Sequence, residues 1–181
     1  TARAYGAGAG AVNSSGIFFA GNNGTANIAI TESYNGSNWT EVNDINTTRN
    51  SLSGSGTATS ALAFGGGIPP GSSTGATEIW NGTNWTEVND MNTARANSGG
   101  TGADSTSALV YGGYTTTALA NTETWNGVSW AETTDISTAR SAGGSSGTAT
   151  AALYSGGNTG SKVGTTEEWN SPSNVVKTLT D

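Results

Sequence analysis

Ala76-Thr-Glu-Ile-Trp-Asn-Gly-Thr-Asn-Trp-Thr-Glu-Val-Asn-Asp90 reads as two short strands about a tight turn. Ala76 to Trp80 has strand character, and Asn81-Gly82 predicts a type I′ hairpin turn, since both residues accept positive φ. Beyond the turn, Trp85-Thr-Glu-Val-Asn alternates apolar and polar residues, as a half-buried strand does. Upstream, Leu52-Ser-Gly-Ser-Gly-Thr-Ala is flat enough for a strand with close neighbours, and Ala61-Leu-Ala-Phe64 is an apolar strand running into Gly65-Gly66. The loop from Gly67 to Gly75 carries Pro69-Pro70 and cannot be helical. No helical period is sustained anywhere. The unit is a four-stranded antiparallel sheet, and the chain is all-β.

The unit recurs. Arg3, Arg49, Arg95 and Arg140 are spaced 46, 46 and 45 residues apart, and Glu32, Glu78, Glu123 and Glu167 keep the same rhythm. Two residues after each acid stands an aromatic (Tyr34, Trp80, Trp125, Trp169), and five further on a second tryptophan at Trp39, Trp85 and Trp130. A period near 45 means one structural unit copied, here about 1–46, 47–92, 93–137 and 138–181, within a single domain. A small sheet cannot bury its apolar faces alone. Stacking copies around an axis covers them and leaves only short edges, which predicts a four-bladed β-propeller over a solenoid. Ile17, Phe19, Leu62, Phe64, Leu109, Tyr111, Leu153 and the tryptophans are expected between blades. The small residues of Gly6 to Gly10, Ser53 to Thr57, Gly99 to Gly102 and Gly143 to Gly147 suit the innermost strands, where backbones crowd.

Composition removes several function classes. The formal charge is −7, yet only 10% of residues are charged. Six cations, thinly spread, argue against nucleic acid, which needs clustered positive charge, and against a polybasic membrane patch. No apolar run approaches the 18 or so residues of a membrane span. With neither Cys nor His, disulfides, zinc sites and imidazole catalysis are excluded. Abundant Ser and Thr have no His or placed Lys to activate them, so no enzyme, cofactor or metal is expected.

One Arg and one Glu per copy at fixed phase point to a repeated ion pair or loop-fastening bond rather than a charged binding rim. The tryptophan ladders read as core, with exposed members able to stack on sugar rings. Glu41, Glu87 and Glu132, with Asp44, Asp90 and Asp135, read as solvated loop acids, since no D-x-D-x-D calcium loop is present. Glu167-Glu168 is expected to face opposite sides of a strand. What varies between copies is the loop after the glycine pair: Asn22 to Ala29, Gly67 to Gly75, Tyr114 to Ala120, Asn158 to Gly164. Variable loops on a rigid scaffold are where recognition lives. The candidate binding residues are Asn22, Asn23, Thr25, Pro69, Ser72, Thr74, Tyr114, Thr116, Asn158 and Lys162.

In Met91-Asn-Thr-Ala-Arg95, Ala108-Leu-Val-Tyr-Gly-Gly113, Glu123-Thr-Trp-Asn126 and Trp130 the chain resembles the kelch repeat, and the resemblance covers all four copies. It departs in Trp for the usual Tyr at positions 80, 125 and 169, in Asn for the following acid, in Ala20-Gly21 for a glycine pair, and in a last copy without a second tryptophan. There Val175 or Val176 stands nearest, behind Ser171-Pro-Ser. The wording Asn81 to Asp90 followed by Thr93-Ala-Arg95 also looks like kelch-like repeats of bacteriophages. The resemblance implies blades of a propeller. Galactose-oxidase-like enzymes share such blades, but their copper site needs His.

Framing of the copies predicts a complete four-bladed ring closed by side-chain packing between blades one and four, half of a larger ring being the alternative. The expected role is a non-catalytic binding or assembly module, virion-associated or extracellular, whose loops meet a glycan or a protein. A purely structural spacer or decoration subunit is the other expectation.

Overall fold

A computed structural model describes residues 1–171 and, for 175–179, the strand path of the backbone. It is all-β. The first blade is β1 (Ala7–Val12), β2 (Ser15–Phe19), β3 (Thr31–Tyr34) and β4 (Trp39–Val42). The second is β5 (Ser53–Thr57), β6 (Ser60–Phe64), β9 (Thr77–Trp80) and β10 (Trp85–Val88), with a small hairpin of β7 (Gly67–Ile68) and β8 (Ser72–Ser73) in the loop after its glycine pair. The third is β11 (Gly99–Asp104), β12 (Ser107–Tyr111), β13 (Thr122–Trp125) and β14 (Trp130–Thr133). The fourth is β15 (Gly144–Gly147), β16 (Ala151–Ser155), β17 (Thr166–Asn170) and β18 (Val175–Leu179). Every blade is an antiparallel meander in chain order, and the four form a four-bladed β-propeller arrangement.

The inner strands adjoin in sequence: β1 against β5, β5 against β11, β11 against β15. Their small residues allow this. A Cβ on Gly54 would lie 3.0 Å from the Gly8 carbonyl oxygen, and one on Gly100 would lie 2.9 Å from the Ser53 Cβ. At the loop end of these strands a backbone chain crosses from blade to blade. Ser51 N–H donates to Tyr5 C=O (2.7 Å), Asn97 N–H to Ser51 C=O (2.8 Å) and Ala142 N–H to Asn97 C=O (2.8 Å). All four residues stand two places after the ladder arginine and have φ between 52° and 59°. That left-handed conformation costs an L-residue roughly 1–2 kcal/mol, and here the shared hydrogen bonds hold it.

Between blades the same seam forms three times. Side chains alternate along each strand, so every blade has one face toward its successor and one toward its predecessor. Ile17 and Phe19 of the first blade pack on Ala61, Ala63, Trp80 and Trp85 of the second. Leu62 and Phe64 pack likewise on Ala108, Val110, Trp125 and Trp130. Leu109 and Tyr111 pack on Ala152, Tyr154 and Trp169. The second-ladder indole is the keystone of the first two seams. Trp85 meets Phe19 edge-on at 4.7 Å between ring centroids and donates Nε1–H to the Thr31 hydroxyl at 3.1 Å. Trp130 meets Phe64 at 5.1 Å and donates to the Thr77 hydroxyl at 3.0 Å. In the fourth blade Val176 is the strand partner of Trp169, as Trp85 is of Trp80. A small apolar cavity lies in the third seam, beside Tyr111, Ile136, Ala152 and Trp169.

Three expectations need correction. Gly82 has φ 93°, but Asn81 is not left-handed, so the turn is not type I′. The Asn81 carboxamide oxygen instead accepts from the N–H groups of Thr83 and Asn84, closing a four-residue connection between Trp80 and Trp85. This is Asx-turn chemistry, and Asn35 and Asn126 do the same. Leu153 was expected between blades and is 42% exposed, against 0% for Leu62 and Leu109. Trp39 is 52% exposed, against 6% for Trp85 and Trp130. Both sit on the outer faces of the end blades, and the packing expected between blades one and four is not made by them. The Ser171-Pro-Ser insertion lies largely outside the described residues.

Removing a seam indole deletes a large buried ring and a buried hydrogen bond. Trp85→Ala and Trp130→Ala are each expected to lower unfolding stability by about 3–5 kcal/mol, measured by denaturant unfolding. A loss under 1 kcal/mol would show that the seams do not depend on them.

Burial pushes the phenols of Tyr111 and Tyr154 up from their ordinary value of 10.0, and their rings pack together at 4.8 Å. A raised folded-state value means that the neutral phenol stabilises the fold fully below about pH 10, and that this contribution is lost as the pH climbs through the folded-state value. The phenolate absorbance assigned to these two by Tyr→Phe variants should therefore appear together with loss of the β-sheet circular dichroism. Ionisation with the sheets intact would contradict the burial.

Candidate functional site

The ladders form a fastening inside each blade. Arg49 pairs with Glu78 at 2.7 Å, Arg95 with Glu123 at 2.6 Å and Arg140 with Glu167 at 3.0 Å, with side chains essentially out of solvent. Arg3 pairs with Glu32 at 2.8 Å, where the acid keeps 18% exposure. The carboxylates do more than balance charge. Glu78 also accepts from the backbone N–H of Asn46 and Thr47, and Glu123 from those of Asn92 and Thr93, on the chain that enters the blade. The guanidinium groups donate to the carbonyls that end the second strand, such as Gly112 (3.0 Å) and Tyr154 (3.1 Å). Burial pulls Arg49 and Arg95 below the usual arginine range, with Glu78 and Glu123 opposing. The pairs of Arg49, Arg95 and Arg140 are internal to their blades.

The loop acids divide. Asp44 and Asp135 accept from the backbone N–H of Thr31 and Thr122, fastening their own blades. Glu167 is buried and Glu168 is partly exposed on the other side of β17. Among the described residues no three His, Cys, Asp or Glu side chains are grouped to hold a metal ion. Tyr34 packs on Trp39 at 5.1 Å, while Trp80, Trp125 and Trp169 are buried.

The loops after the glycine pairs gather at one end of the propeller, beside the residues that follow each arginine. The isolated bridges Ala4–Asn22, Asn50–Gly67, Ala96–Tyr114 and Ser141–Asn158 set this register in every blade. It requires the second glycine: at φ 112° a Cβ on Gly66 would lie 2.7 Å from the Asn50 carbonyl oxygen. Two open grooves result, one on either side of Tyr114. The first, about 420 Å³, is lined by Asn27, Asn50, Ser51, the segment 67–73, Ala96, Asn97, Tyr114 and Thr115. The second, about 430 Å³, is lined by Tyr114, Thr117, Ala118, Ser141, Asn158, Thr159 and Gly160. Neither wall carries a charged side chain. Tyr114 is 43% exposed while its backbone is held by Ala96 on both sides, with the Ser73 hydroxyl donating to its carbonyl.

Of the candidate residues, Pro69, Ser72 and Tyr114 line the first groove, and Tyr114 and Asn158 the second. Asn22 is turned inward onto Asn27 (3.0 Å), and Asn23 closes its own loop through the N–H groups of Thr25 and Ala26. Thr74 accepts from Ala76 N–H, away from the grooves. Thr25, Thr116 and Lys162 are exposed on the loops but line neither groove. The residues after each arginine (Asn50, Ser51, Asn97, Ser141) were missed, because in sequence they belong to the approach to the inner strand. Their one signal is the constant spacing from Arg49, Arg95 and Arg140.

A scan against protein-family models finds no match to this chain, and a search of the curated proteins finds no similar one.

The ion pairs give a direct test of the fastening. Truncating one member of a buried pair strands the other, at about 3–5 kcal/mol. Glu78→Ala and Glu123→Ala should each lose that much by chemical denaturation, and Glu32→Ala, at the partly exposed pair, distinctly less. Equal small losses at all three would contradict the role.

Proposed function

We propose that the chain is a non-catalytic, kelch-like binding module of a phage particle or microbial surface structure, and that its loop face engages a glycan. The observation that carries this reading is Tyr114, an exposed aromatic ring on a fixed backbone between two uncharged grooves. Tyrosine offers a rigid amphipathic surface at low entropic cost, and Ser, Asn and Thr supply adaptable hydrogen bonds. A neutral sugar fits such a face better than a charged ligand does. Cross-blade bonds, including Asn50 to Asn27 (2.8 Å) and Asn27 to the Gly67 carbonyl (3.1 Å), keep the loops in place before binding.

The purely structural reading draws on the same bonds, since Asn22, Asn27 and Asn50 satisfy one another and offer less to an outside ligand. A glycan array with parallel pull-downs separates the two. The binding reading expects a hit whose affinity falls at least tenfold in Tyr114→Ala. Val128→Ala, in an exposed turn at the opposite end of its blade, should leave the affinity unchanged. Silence in both assays would remove the binding claim and leave the spacer.

A further inference from the structure

The end blades present the two unused halves of the seam that joins all other blades. On the fourth blade, the face that would meet a successor holds Leu153, 42% exposed, where Leu62 and Leu109 are 0%. On the first, the face that would meet a predecessor holds Trp39, 52% exposed, where Trp85 and Trp130 are 6%. The polar positions correspond too. Trp85 and Trp130 donate to Thr31 and Thr77 on the preceding blade, and the equivalent threonine of the fourth blade is Thr166. The axial backbone chain also has two loose ends: among the described residues, Tyr5 N–H lacks a donor bond of this kind and Ala142 C=O lacks the acceptor bond. Trp39 on one end blade thus faces the register of Thr166 on the other, a pairing used twice within the chain, and Tyr5 N–H that of Ala142 C=O, a bond used three times.

We propose that two copies of this chain associate head to tail, the fourth blade of each seated on the first blade of the other, closing a ring of eight blades. The contact reuses the register of the existing seams, with Ser155 where Phe19, Phe64 and Tyr111 stand and Phe18 where Ala63, Val110 and Tyr154 stand. It takes Leu153 and Trp39, both exposed in one copy, out of solvent. Trp39 Nε1–H then donates to the Thr166 hydroxyl and Tyr5 N–H to the Ala142 carbonyl, each across the two copies. Because the two faces differ, the association is heterologous, and two-fold symmetry forms both seams at once. The proposal does not rest on the glycan reading, since the loop grooves lie at the end of the blades and the seams on their sides.

Analytical ultracentrifugation of the full chain, with circular dichroism to check folding, tests it. The chain should sediment at twice its 18.0 kDa mass. Trp39→Glu and Leu153→Glu should each weaken self-association at least a hundredfold while keeping the β spectrum, since both side chains are exposed within one copy. Mixing the two variants should restore a dimer, because the mixed pair keeps one seam with both native residues. A monomer at every concentration, a larger or open-ended assembly, or variants that associate like the parent would overturn the proposal. So would a mixture that fails to associate more tightly than either variant alone.

Discussion

The second-ladder indoles Trp85 and Trp130, each seated on the blade before it, are the contacts on which this architecture turns. Trp85 and Trp130 fill the space beside Phe19 and Phe64 and end their N–H on a threonine hydroxyl in the neighbouring sheet. A sheet of four short strands has too little area to hold itself together, so its stability comes from what lies between sheets. An indole suits this position because it buries a large apolar surface and carries one polar atom whose direction fixes the register. The small inner strands follow from the same need. Backbones must come close enough at the axis for the large rings further out to touch.

The buried ion pairs orient the chain rather than bind a ligand. Taking a guanidinium and a carboxylate out of water is costly, and such pairs are seldom a net source of stability. In this fold Glu78 also accepts two backbone N–H groups from the connection between blades, those of Asn46 and Thr47, and Glu123 accepts those of Asn92 and Thr93. The guanidinium groups donate to carbonyls near the end of the second strand, as Arg95 does to Gly112 and Arg140 to Tyr154. The pair therefore fixes where one blade stops and the next begins. That position carries the left-handed residues Ser51, Asn97 and Ala142 and, through them, the groove floor beside Tyr114.

Much of the fold was legible because it is repeated. A residue type recurring at one phase in four copies, such as Glu78 with Glu123, exposes its structural role without any homologue. The all-β class and the blade meander followed from the strands around Asn81-Gly82 and from the period. The turn itself was misread, because a carboxamide capping its own loop and a left-handed asparagine share the same two letters. The left-handed stations were hidden, since Tyr5, Ser51 and Ala142 are not residue types that announce positive φ. The exposure of Trp39 and Leu153 was invisible for another reason. A repeat shows what each face wants to touch, and says nothing of whether a neighbour is there. The grooves were half legible: the variable loops announced Tyr114 and Asn158, while Asn50 and Asn97 were masked by their closeness to the arginine ladder.

Hydrogen exchange at the indole N–H groups, resolved by NMR, tests the central claim most directly. Burial and a cross-blade acceptor predict that Trp85 and Trp130 exchange only through unfolding, as slowly as the most protected backbone amides of β6 and β12. Exchange of those two indoles on the timescale of free tryptophan, with the sheets intact, would mean that the blades are not held together as described.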